Sequence, residues 1–178
     1  SIIFLRSQIM MKHIASDTSE SELSKFDAEQ VQPNAIDLKI DKIFRLNSTT
    51  FEISEAEKVH RGSVLFTPDA YGLWKLDVGI YEIIMEGEIN IGPNEAGFVI
   101  TRSTLNRNGL FITSGLYDSG YRGVMAGALH VTGGPAIIKR GTRVGQFLLF
   151  EAESLNQYSG SYGSGSGHDA KYATGVQH

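Results

Sequence analysis

After Gln32-Pro33, apolar and polar residues alternate with the two-residue period of a half-buried strand. In Ala35-Ile-Asp-Leu-Lys-Ile-Asp-Lys-Ile-Phe, residues Ile36, Leu38 and Ile40 fall on one face and Asp37 on the other. Shorter stretches that read as strands recur at residues 63–66, 73–76, 81–85, 96–101, 123–131, 136–138 and 143–150. Turn formers separate them: Thr67-Pro-Asp, Gly92-Pro-Asn, Asn108-Gly, Asp118-Ser-Gly, Gly133-Gly-Pro and Arg140-Gly. Many short strands joined by glycine turns predict a mainly β domain, a sandwich or barrel with Greek-key or jelly-roll connections. Regular alternation of strands with long helices is missing, which argues against a doubly wound fold.

The two ends follow other patterns. Residues 5–26 read as helix around a polar break, with Ile9, Met10, His13 and Ile14 able to form one stripe. Asp17-Thr-Ser-Glu-Ser-Glu supplies capping and acidic residues suited to a turn and a helix start. This predicts an N-terminal helical segment, residues 1–30, packed on a β domain of residues 31–155. Residues 156–178 read as a flexible C-terminal arm. Its Gly/Ser stretch, residues 159–167, has low intrinsic order. Tyr158, Tyr162 and Tyr172 give it flat faces suited to settling over a ligand, with a plain mobile terminus as the alternative.

Composition narrows the classes. The chain has 178 residues, 41% of them hydrophobic, enough for one domain with a substantial core. A formal net charge of -4 gives no support for a nucleic-acid or anionic-membrane binder, though it leaves room for a local cationic pocket. The absence of cysteine removes disulfides, thiolate nucleophiles and thiolate metal sites. Ser1-Ile-Ile-Phe-Leu is too short an apolar run to span a bilayer and lacks the layout of a signal peptide. A cytoplasmic protein is the expectation.

Two stretches carry chemistry that a core strand does not need: Thr101-Arg-Ser-Thr-Leu-Asn-Arg-Asn-Gly and Gly115-Leu-Tyr-Asp-Ser-Gly-Tyr-Arg-Gly. Arg102 and Arg107 offer several donors to phosphate oxygens, and Ser103 and Thr104 add hydroxyls beside backbone N–H groups. A polar strand-to-helix junction would read the same way. Asp118 is the candidate for orienting and activating water, with a turn aspartate as the alternative. Tyr121 suits a sugar face or the core. Asp37 suits a metal–water shell or an arginine, or a solvent-facing strand position. The five histidines show no compact metal-ligand spacing, and Glu82, Glu86 and Glu88 read as a charged strand face.

Four segments together resemble the superfamily of trimeric dUTPases and dCTP deaminases: Gln32-Pro-Asn-Ala-Ile-Asp-Leu-Lys, the two stretches above, and Gly141-Thr-Arg-Val-Gly-Gln-Phe. Each is weak alone; their order and spacing make the signal. The resemblance implies a distorted jelly roll, a homotrimer with sites at subunit interfaces, and Mg2+. It implies that Asp37 lies near the hydrated magnesium, that Arg102, Ser103 and Gln146 hold phosphates, and that Arg107 approaches across an interface. Asp118 then orients water and Tyr121 meets the sugar. Backbone groups from Ile112 through Ser114 to Leu116 read the base. Tyr162 covers it, and Lys171 and Tyr172 reach the nucleotide as in the deaminase tail. Two departures stand out. Ala128 occupies the place of the deaminase glutamate, and an alanine shuttles no proton. Gln157 replaces the usual arginine of the closing arm. The expected activity is hydrolysis of dUTP to dUMP and pyrophosphate. The alternatives are deamination or hydrolysis of dCTP, and a non-catalytic nucleotide-binding module.

Overall fold

The computed structural model describes residues 10–174. Thirteen strands follow in chain order: β1 (Met11–Lys12), β2 (Glu22–Leu23), β3 (Ile36–Leu46), β4 (Glu52–Ile53), β5 (Lys58–Val59), β6 (Ser63–Leu65), β7 (Leu73–Leu76), β8 (Gly79–Asn90), β9 (Glu95–Thr101), β10 (Leu110–Thr113), β11 (Arg122–Val131), β12 (Ala136–Lys139) and β13 (Arg143–Glu151). Two short helices, α1 (Ser103–Asn106) and α2 (Ala170–Thr174), and a single 3-10 turn at Ala28–Gln30 complete the described elements. The main sheet runs β1-β13-β3-β8-β11-β10, with β2 on β8, β6 on β3 and β9 on β13. Its described pairs are antiparallel and the sheet curls into a half-barrel, in keeping with a distorted jelly roll. None of the described helices is long and apolar enough to cross a membrane.

Register breaks do the curling. The β3–β8 pairing slips between Ile40 and Lys42, and β11–β8 slips between Val124 and Ala126. An extra residue in one strand increases local twist and exchanges the faces. Hence Ile36, Leu38 and Ile40 point into the core on even positions, and Ile43 does so on an odd one. Phe44 is then left on the outer face, yet it is buried, under Tyr172 and against Ile84. Elsewhere Trp74, 1% exposed, anchors the interior and donates its indole N–H to the Phe66 carbonyl at 2.6 Å. Burying such large side chains contributes about 1.5–3 kcal/mol each.

The expected N-terminal helix is not found over residues 10–26; residues before 10 lie outside the described part. Met11 pairs with Phe150 and Leu23 with Ile89, so the segment serves as an edge partner for the sheet. Ser16 and Ser19 sit in tight turns instead of helix starts. Serine and aspartate side chains compete with helical backbone bonds, and here tertiary partners win. Buried Glu95 is the tie. It accepts from Lys12 Nζ at 2.5 Å, the Glu20 N–H at 2.9 Å and Ser21 Oγ at 2.5 Å. Burial raises the carboxyl's pKa, but these three donors outweigh it and hold it below the ordinary value.

Candidate functional site

Asp118 stands on the loop between β10 and β11, and the loop is pinned on both sides of it. Tyr117 exchanges two backbone hydrogen bonds with Gly97, at 2.7 and 3.0 Å. Gly97 is needed there, since a Cβ would lie 2.5 Å from the Leu148 carbonyl oxygen and from the Phe147 ring. On the other side Ser119 donates to the Glu95 carbonyl at 2.5 Å. The turn closes with the Tyr121 N–H on the Asp118 carbonyl and with Gly120 at φ +83°, a conformation glycine adopts without strain. With both neighbours buried, the Asp118 side chain faces out, and among the described residues no donor pairs with its carboxylate.

Two cavities flank this loop and share Leu116 and Tyr158. The larger, about 520 Å³, is walled by the loop at Leu116, Tyr117 and Tyr121, and by β11 at Ala126–Ala128. The smaller holds Asp118 itself, with Ser119 and residues 152–159. Tyr121 is both core and wall. It is 6% exposed, donates its hydroxyl to the Val124 carbonyl at 2.7 Å and packs against Tyr117 and Tyr158. Burial, and then neighbouring ionisable groups, push the Tyr117 and Tyr121 hydroxyls far above the ordinary tyrosine value. Leu116 is 60% exposed at the junction of the cavities. Ile112 and Ser114 do not line either cavity; the Ile112 N–H bonds Thr101 Oγ1 at 2.8 Å, and Ser114 Oγ accepts from the Val99 N–H at 3.0 Å. Ala128 lies in the wall, opposite Glu82 in register.

The C-terminal segment folds back over this loop of its own chain. Ser154 Oγ meets Ser119 Oγ at 2.5 Å, and the Tyr158 N–H bonds the Ser119 carbonyl at 2.8 Å. Gln157 packs over Gly120, and the Ser164 N–H bonds the Arg122 carbonyl at 2.7 Å. Tyr162, His168 and Tyr172 then roof the larger cavity. Tyr162 meets His168 edge-on at 4.9 Å, and His168 faces His60 at 4.6 Å. Lys171 and Tyr172 engage Glu82, at 3.0 and 3.3 Å, so Glu82 is a part-buried anchor and not one of a row of solvated charges.

A second cluster gathers residues far apart in sequence. Asp37 has no exposed surface, and its carboxylate is ringed by Arg102 Nε at 3.5 Å, Arg143 at 3.3 Å and Gln146 Nε2 at 3.1 Å. Of the surroundings the sequence left open for Asp37, the structure supplies the arginine and excludes a solvent-facing position. Arg143 was missed, although it stands in the quoted Gly141-Thr-Arg-Val-Gly-Gln-Phe; a cation at the head of an apolar strand was the available signal. Two guanidiniums around one carboxylate leave one positive charge in excess, and both keep about a third of their side-chain surface open (31% and 34%). Ser103 and Thr104 are exposed beside them on α1, with Arg107 exposed at its end. This patch can take an anion. None of Asp37, Arg102, Arg143 and Gln146 borders either cavity at Asp118, so one chain by itself does not join the two groups.

No group of three or more His, Asp or Glu side chains that could hold a metal ion occurs among the described residues. Asp37, enclosed by its cationic and amide partners, does not fit a metal ligand. A cation at this site would have to be carried by the oxygens of a bound ligand.

Comparison with known proteins bears on this arrangement. A deoxyuridine 5'-triphosphate nucleotidohydrolase of Methanocaldococcus jannaschii is 30% identical over 152 residues, 84% of this chain and 97% of that protein. A probable enzyme of the same name from Methanothermobacter thermautotrophicus is 32% identical over 136 residues, 75% of this chain and 88% of that protein. The crystal structure of the 2'-deoxycytidine 5'-triphosphate deaminase from Agrobacterium tumefaciens superposes with a TM-score of 0.57 at 16% identity. That match covers 76% of this chain but 44% of the longer deaminase, and the likeness is one of fold. The model of dCTP deaminase-like proteins matches residues 4–152, a span that holds β1 to β13, the Asp37 cluster and the pinned Asp118 loop; the chain belongs to this family, in the superfamily of dUTPases and dCTP deaminases.

Proposed function

We propose that the protein hydrolyses dUTP to dUMP and pyrophosphate. The observation that carries this is the Asp118 carboxylate, exposed and, among the described residues, unpaired between two pinned residues beside a cavity of about 520 Å³. The kinship with proteins named as dUTP nucleotidohydrolases supports the same substrate. Ala128 argues against deamination, because its methyl group neither gives nor takes a proton where the deaminase mechanism needs a carboxyl.

In this reading the substrate is the Mg2+ complex of dUTP, the ion riding on the phosphate oxygens and neutralising their charge. The base enters the larger cavity, where Gly115 and Leu116 offer backbone groups and Tyr121 supports the sugar. Asp118 orients a water and takes its proton as the water oxygen bonds to the α-phosphorus. The bond from that phosphorus to the bridging oxygen breaks, and pyrophosphate leaves. A carboxylate is a weak base, so positioning and charge neutralisation supply most of the acceleration. Arg102, Ser103 and Gln146 hold the phosphates of a nucleotide bound to a neighbouring subunit of a homotrimer, since within one chain they stand apart from Asp118. Arg107 reaches across the same interface, and Tyr162 and Tyr172 cover the base.

The decisive experiment incubates the protein with a panel of deoxy- and ribonucleoside triphosphates and Mg2+ and identifies base and phosphate products. Release of pyrophosphate from dUTP is expected. Uracil formed from dCTP would replace hydrolysis with deamination, and saturable binding without turnover would leave a binding module. Mixing inactive Asp118→Asn and Arg102→Ala subunits tests the interface: activity should reappear in the mixture, and a mixture that stays inactive refutes the shared site.

A further inference from the structure

The C-terminal segment is fastened to the body at two places. Along the loop it relies on hydroxyl and backbone contacts of Ser154, Tyr158 and Ser164. At α2 its side-chain ion pair and the Tyr172 hydroxyl converge on one carboxylate. Glu82, near the start of β8, accepts from Ser63 Oγ at 2.8 Å, from Lys171 Nζ at 3.0 Å and from the Tyr172 hydroxyl at 3.3 Å. Lys42 Nζ holds the Tyr172 carbonyl in addition, and the Tyr172 ring, 4% exposed, stands edge-on to Phe44 at 5.9 Å. The other two glutamates in the row are used differently. Glu86 meets Lys25, which is 67% exposed, and Glu88 touches Ser164 at 3.4 Å. Glu82 alone of the three lines the larger cavity.

We propose that Glu82 is a positioning residue: it is the catch that seats the C-terminal segment over the cavity of its own chain, acting through Lys171 and Tyr172 and not on the nucleotide. Its effect on turnover rests on the reading of that cavity as the nucleoside site; its effect on the segment does not. The Gly/Ser stretch between the two fastenings buries little side-chain surface, so ordering it is unfavourable unless both ends are held. Glu82 holds the far end with both carboxylate oxygens already accepting, which leaves them committed to the protein. Its removal leaves the part-buried Tyr172 hydroxyl without its acceptor and the Lys171 ammonium with the long contact to Ser63 Oγ at 3.4 Å, a state that favours release of α2. Ala128 directly opposite is small enough to leave the cavity open beside this catch.

The test uses the full chain. Hydrogen–deuterium exchange of the segment from Tyr158 to Ala173 is measured without nucleotide, and steady-state kinetics with Mg2+ and dUTP are measured alongside. Glu82→Gln should speed exchange in the segment by about tenfold while the β-sheet amides stay protected. It should raise KM by about tenfold with a smaller change in kcat, and Glu82→Asp should restore part of both. Lys171→Met, at the far end of the same pair and outside the sheet, should act alike, and the double variant should be no worse than either single one. This second variant carries the test if Glu82→Gln does not fold. Unchanged exchange in either folded variant overturns the proposal, and so does a rise in KM without faster exchange, which would put Glu82 on the nucleotide. If no triphosphate is turned over at all, the nucleotide reading fails, and the exchange measurement still decides the catch.

Discussion

Asp37 and Asp118 carry the same side chain into opposite surroundings. Asp37 is wholly enclosed, with two arginines and a glutamine on its carboxylate. Asp118 is exposed, with no donor on its carboxylate among the described residues, while its two neighbours are pinned. A carboxylate already surrounded by donors has little left to offer a water, whereas one held by its backbone alone keeps its oxygens available. The first charge organises cations; the second is free for chemistry.

The sharpest way to break that contrast is Asp118→Asn. Turnover should fall by about 10²–10⁴-fold, the range of a lost general base, with nucleotide affinity and thermal stability nearly unchanged. Equal loss of binding in calorimetry would make Asp118 a structural residue like Asp37. The converse change, Asp37→Ala, should act first on stability. A fully buried pair deprived of one partner costs about 3–5 kcal/mol; the open guanidiniums reduce this to roughly 2–3 kcal/mol by the same reasoning. Denaturant unfolding reads it, and a stability loss under about 0.5 kcal/mol, the range of ordinary surface changes, would sink the idea of an organising anion. Gly97→Ala tests the pinning. Its Cβ would collide with the Leu148 carbonyl and the Phe147 ring, costing about 1–3 kcal/mol and slackening the loop, so turnover should drop although Asp118 is intact.

The smallest effect concerns the roof. His60 titrates below 6.5 because burial, and then the charges of His168, Lys171 and Lys58, disfavour its cation, with Glu82 opposing. Protonation therefore costs more in the fold than in the free chain. The contact with His168 is intact above pH 6.5 and weakens as the pH falls through that value towards the lowered one. Protection at residues 158–168, measured against the intrinsic exchange rate at each pH, should fall a few-fold between about pH 7 and 5.5, and His60→Gln should flatten that fall.

The sheet and the Asp37 cluster were the legible parts. Strand alternation survives in any single window, and the order of the motifs groups Asp37, Arg102 and Gln146. The pairing of Met11 with Phe150 was not legible, because an edge strand of two residues has no periodicity and takes its conformation from its distant partner. The role of Glu82 was hidden for a similar reason. Its partners Ser63, Lys171 and Tyr172 come from three separate segments, and next to Glu86 and Glu88 it looks like one charge in a solvated row. The outward burial of Phe44 depends on a register slip that no local pattern announces.

Trp74 is the sole indole of the chain, and it lies sealed in the interior with its N–H on the Phe66 carbonyl. Its emission thus reports only on the integrity of the barrel. Lifting the roof displaces phenols instead, those of Tyr158, Tyr162 and Tyr172, and leaves the indole spectrum where it was. Selective excitation of tryptophan therefore separates denaturation from opening in one cuvette, without any label.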